Sequence, residues 1–137
     1  MTRVDFHTNV SDPLIYACRL ARKAYQAAQP LVVLGQLDLL RTFDKWLWTF
    51  FPLDFIPHCM ASSPLADETP VVLTIDVNQA PHYAVLLNLG SAVSPQFSRF
   101  NRLLEVISKE ESELMAGRKR YRVYRDRGYI LNMYQQG

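Results

Sequence analysis

Apolar positions recur along this chain with two periods, and the switches between them mark the elements. Residues 2–7 alternate, with Val4 and Phe6 set against polar neighbours, and predict a first strand. Ser11-Asp12-Pro13 is a helix start, a capping side chain followed by proline in the first turn. Leu14, Ala17, Cys18, Ala21, Ala24, Tyr25 and Ala28 then repeat at helical spacing until Pro30 stops them. The unbroken run Leu31-Val32-Val33-Leu34 reads as a strand buried on both faces. A second helix over 37–50 has Leu39, Leu40, Phe43, Leu47 and Phe50 as its core stripe. Its polar face carries Arg41, Asp44, Lys45 and, unusually, Trp48.

Residues 55–59 form a third short strand or extended segment, and 61–70 a loop rich in Ser, Pro and acids. Residues 71–77 and 83–89 predict two strands. The five residues between them are too few for a crossover helix, so the pair is expected to be antiparallel. Residues 94–100 suggest a short helix or turn, and 102–107 a last core strand. Ser108 opens a helix running to Gly128, with a capping box between Ser108 and Glu111. Gly128 supplies a stop residue able to take positive φ. Residues 129–137 are an apolar tail. The order strand–helix–strand–helix–strand argues for one three-layer α/β/α domain over 1–137, with a mostly parallel sheet, an antiparallel edge strand and a C-terminal basic helix.

Charge changes the picture only at the end of the chain. The net charge is +2, but residues 109–137 hold seven basic and four acidic side chains while residues 1–108 hold eight and nine. A near-neutral body with a basic end suits a local anionic partner, not wholesale coating of nucleic acid. Arg118, Tyr121, Arg122 and Arg125 fall on one side of the last helix. Guanidinium forks around an aromatic suit a ligand with carboxylates or phosphates and one flat or apolar group. A solvated helix face is the plainer alternative. Trp48, Phe51 and Phe55 form a second candidate surface, either an anchor for a protein partner or part of the core.

Catalytic equipment is sparse. The first strand-to-helix turn, Thr8-Asn9-Val10-Ser11, has no glycine, and neither GxGxxG nor GxxxxGK(S/T) occurs. His58-Cys59 is the one close His–Cys pair, and adjacent strand residues point to opposite faces. His7, His58 and His82 lie on different elements, which argues against a metal site. Cys18 and Cys59 form no disulfide framework, and the N-terminus shows no apolar signal segment, as expected of a protein of the reduced cytoplasm. These features predict a non-catalytic binding module without cofactor or metal.

Five segments resemble the bacterial DNA polymerase III chi subunit in order and spacing. They are Phe43-Asp44-Lys45-Trp46-Leu47-Trp48, Phe55-Ile56-Pro57-His58, Val85-Leu86-Leu87-Asn88-Leu89, residues 100–107, and the run from Arg118 to Tyr129. The resemblance implies a Rossmann-like fold that is not an enzyme. It implies pairing with the psi subunit, which ties chi to the clamp-loader complex. It also implies capture of the acidic C-terminal tail of single-stranded DNA-binding protein, which ends in a Pro-Phe carboxylate. By the same resemblance Arg118, Tyr121, Gly128 and Ile107, with Arg122 and Arg125 beside them, are the tail site, and Trp48, Phe51 and Phe55 face psi. The competing expectation is direct binding of single-stranded nucleic acid by the Arg/Tyr helix.

Overall fold

In the computed structural model, which describes residues 1–50 and 53–136, seven strands form one sheet in the order β3-β4-β2-β5-β6-β1-β7. The elements are β1 (Arg3–Val10), α1 (Pro13–Gln26), β2 (Leu31–Leu34), α2 (Leu37–Thr49), β3 (His58–Met60), β4 (Val71–Thr74), β5 (Val85–Asn88), β6 (Arg102–Ser108), α3 (Glu111–Asp126) and β7 (Ile130–Gln135), with single 3-10 turns at Ala66–Glu68, Val77–Gln79 and Phe97–Arg99. Alternate strand residues divide the core between two faces. Leu31, Val33, Leu73, Leu87 and Leu104 pack under α1 and α2. Val4, Phe6, Val32, Leu86, Leu103 and Ile107 pack against Tyr124 of α3 and the turn residues Val77 and Phe97. The three layers expected from the element pattern are therefore present.

Every strand pairing is parallel, which corrects the expected antiparallel edge strand. β4 and β5 do not pair with each other. Each pairs with β2, which lies between them, with Leu31 opposite both Val71 and Val85. The strands are only four residues long, so ten residues with a single 3-10 turn suffice to return the chain to the starting edge. The first strand lies one place from the β7 edge, so the order departs from the 3-2-1-4-5-6 arrangement of dinucleotide-binding domains.

Two further expectations change. The apolar tail is β7, in register with β1 from Arg3↔Ile130 to Thr8↔Gln135. It covers an edge that would otherwise expose the backbone of a core strand. The capping box does not form, because α3 begins later, with Glu110 as its N-cap. Ser108 instead donates its hydroxyl to the Glu113 carboxylate and accepts from the Glu110 N–H at 3.2 Å. The other helix ends follow the sequence. Asp12 caps α1 by accepting from the Ile15 N–H at 3.2 Å, and Gly128 takes φ +82° beyond α3. At the glycine-free turn after β1, Asn9 takes φ 59°, a conformation asparagine tolerates better than most residues.

Candidate functional site

The buried stripe of α3 is Gly117, Arg120 and Tyr124, spaced to lie on one side of a helix. Gly117 sets how closely the helix lies on the sheet. A Cβ there would stand 2.6 Å from Ile107 Cδ1, so only glycine lets α3 rest directly over β6. Below the stripe, the fully buried Glu105 carboxylate accepts from Arg120 Nε at 3.1 Å, the Tyr124 hydroxyl at 2.6 Å and Asn88 Nδ2 at 3.2 Å. Burial pushes this carboxyl above the usual range, and Arg120, with the Tyr124 and Asn88 donors, pulls it back. Burial and the Glu105 carboxylate likewise push the Tyr124 hydroxyl up. Arg120 also donates to the Ser91 carbonyl at 3.0 Å. Together these bonds clamp α3 to β5 and β6.

Because Arg120 turns inward, Arg118 turns outward. Arg118 stands at the rim of a recess of about 230 Å³ lined by Phe6, Thr8, Ile107, Leu114, Gly117, Tyr121 and Met133. Tyr121 is half-buried and meets Phe6 edge-on at 5.4 Å. Among the described residues Arg118 makes no ion pair, so its fork is open to a ligand. The structure thus brings together three of the six tail-site residues named from sequence: Ile107, Arg118 and Tyr121. Arg122 and Arg125 are exposed on the same helix, and Arg125 pairs with the adjacent Asp126 at 3.2 Å. Gly128 lies ten residues beyond Arg118, past the end of α3 and apart from the recess lining.

A second surface lies at the opposite end of the sheet. Trp48, 47% exposed, sits at the end of α2 and meets Phe55, 66% exposed, at 5.3 Å. Beneath them His58 holds the Trp48 ring at 4.3 Å. His58 Nδ1 donates to the Ile56 carbonyl at 2.7 Å, and Nε2 lies 3.1 Å from Asp44 Oδ1. Arg22 of α1 ties the approach to β3 by pairing with Asp54 at 2.5 Å. The aromatics of this pair therefore stand outside the core. Phe51 lies outside the described residues.

Sequence reasoning missed Gly117, Met133 and the split between Arg118 and Arg120. The spacing Leu114, Gly117, Tyr121, Tyr124 marks the inward side of α3, and Arg120 falls on it. Its residue type alone argued for solvent. Among the described residues no three His, Cys, Asp or Glu side chains could hold a metal ion, and no helix is long and apolar enough to cross a membrane.

The fold and these surfaces define an α/β protein with an all-parallel sheet, whose open guanidinium group and exposed aromatics stand at opposite ends of that sheet. The model of the family described as DNA polymerase III chi subunit, HolC, matches residues 1–132. The chain is also similar to the DNA polymerase III subunit chi of Pseudomonas aeruginosa strain PAO1, at 35% identity over 136 residues, covering 96% of this chain and 94% of that protein. It resembles the DNA polymerase III subunit chi of Haemophilus influenzae strain Rd at 23% identity over 119 residues, covering 85% and 82%. The chain belongs to the DNA polymerase III chi subunit family. Membership makes it an accessory subunit in DNA replication.

Proposed function

We propose that this protein is a non-catalytic cytoplasmic adaptor that links the replicase to coated template. It captures the acidic C-terminal tail of single-stranded DNA-binding protein and pairs with psi, which ties it to the clamp loader. The observation that carries the first half is the recess beside Arg118. It has room for an aromatic side chain, its lining is largely apolar, and an unpaired guanidinium stands at its rim. A terminal phenylalanine presents the complement, a phenyl ring and a carboxylate a few bonds apart. Arg122, exposed one turn along, meets acids upstream in the same peptide.

The experiment is a titration of an acidic peptide ending in Pro-Phe against wild type and Arg118→Ala. A charge-assisted hydrogen bond contributes about 1.5–3 kcal/mol, so the variant should bind about ten- to a hundredfold more weakly. Its melting temperature should not move, because Arg118 is exposed. Unchanged peptide affinity would remove the recess from the tail site.

A further inference from the structure

The sheet face beneath α1 is covered unevenly. α1 and α2 lie over β2, β4, β5 and β6, and no residue of β1 or β7 belongs to the core cluster on that side. The uncovered strip forms a groove of about 610 Å³ between α1 and the β7 edge, away from both surfaces described above. Its wall carries Tyr16 and Lys23 of α1, and its floor Arg102, His7 and Tyr134. Asp5, buried below, is already engaged by Arg102 at 2.7 Å, Arg3 at 3.5 Å and Asn132 at 2.9 Å. The groove lining itself carries two cations, Lys23 and Arg102, and no carboxylate.

His7 is the unusual member. It is 8% exposed, its Nδ1 meets the Tyr16 hydroxyl at 2.6 Å, and its Nε2 has no hydrogen-bond partner among the described residues. A buried polar atom left unpaired is costly, and such an atom commonly marks a missing ligand or water. Its ring lies against Tyr134 at 5.1 Å and 20°, a stack continued outward by a half-exposed tyrosine. An aromatic platform flanked by excess cationic charge is the arrangement that takes a base on the ring and a phosphate on the bases.

We infer that this groove binds a nucleotide unit, with the base stacked on the exposed side of Tyr134 and the phosphate held by Lys23 and Arg102. A single strand and a free nucleotide share this chemistry. The test titrates fluorescein-labelled oligo-dT and, separately, dTMP against the full chain at low salt. It follows anisotropy for the first and the His7 imidazole resonances for the second. Tyr134→Ala should weaken oligonucleotide binding about five- to a hundredfold. Lys23→Glu, on an exposed helix position, should weaken it and lower the salt slope by about 1. Arg118→Ala should leave it unchanged, which separates this groove from the tail recess whether or not the tail assignment holds. A shift of His7 with dTMP assigns the site to nucleotides in general, and a response to oligo-dT alone assigns it to single strands. Binding of neither probe, or binding insensitive to both Tyr134→Ala and Lys23→Glu, overturns the inference.

Discussion

At the scale of single residues, position on α3 decides what each side chain does. Arg118 and Arg120 are two residues apart and share a chemistry, yet one is open to ligand and the other is bonded to a buried carboxylate. Gly117 makes the same point with sterics. Glycine costs about 1 kcal/mol against alanine inside a helix, so Gly117→Ala would stabilise an isolated α3. In the protein the added methyl meets Ile107, and overpacking of this kind costs about 1–3 kcal/mol. Gly117→Ala should therefore give no gain in the native background and a gain of up to about 1 kcal/mol once Ile107→Ala has made room. Urea melts of the four proteins in that cycle check it. Burial lowers the pKa of His7 and of His82; at His7 the Asp5 carboxylate opposes this while Arg102 and Lys23 add to it, and at His82 the Thr69 carbonyl opposes it. A base whose folded pKa is lowered binds fewer protons folded than unfolded. Its contribution to stability is present above the ordinary histidine value of 6.5 and is lost as pH falls through it. Urea midpoints should drop between about pH 7.5 and pH 5, and the drop should shrink in His7→Gln and in His82→Gln.

At the scale of elements, α2 shows how an amphipathic helix carries two loads. Leu40, Phe43 and Leu47 bury its inner stripe, while Trp48, next in sequence, is turned out over Phe55 and His58. Truncating a buried aromatic anchor at an interface typically costs about 2 kcal/mol or more. Trp48→Ala with Phe55→Ala should therefore abolish a complex with psi in a pull-down. The same double variant should melt close to wild type, because exposed side chains contribute little to the monomer. A collapsed melt would return both rings to the core.

For the whole molecule, the strand order sets the distance between the two surfaces. The Trp48 surface adjoins β3 at one edge of the sheet, and the Arg118 recess adjoins β1 and β7 at the other. Six strand spacings of about 4.8 Å separate those edges by about 29 Å. Sites so far apart with no shared contacts behave additively within about 0.3–0.5 kcal/mol. Peptide affinity measured by calorimetry should accordingly be the same, within about twofold, for the free protein and for its complex with psi. A larger change would show that the sheet transmits one occupancy to the other.

Local chemistry by itself determined the helices, because period, caps and stops act within one or two turns. The inner stripes of α1 and α2, the Asp12 cap and the Gly128 stop were legible without the fold, but Phe50, expected in the α2 stripe, lies past the helix end and is exposed, and Ala28 lies beyond the end of α1. The concentration of charge and tyrosine on α3 was legible too, and so was the likeness to the chi family, which is carried by residue order. Tertiary structure alone decided the rest. The direction of β5 depends on β2 lying between it and β4, and nothing near residue 85 records that. β7 becomes a strand because β1 offers it an edge about 125 residues away. The inward turn of Arg120 depends on a carboxylate supplied by another strand, since a buried guanidinium is tolerated only where a partner waits for it.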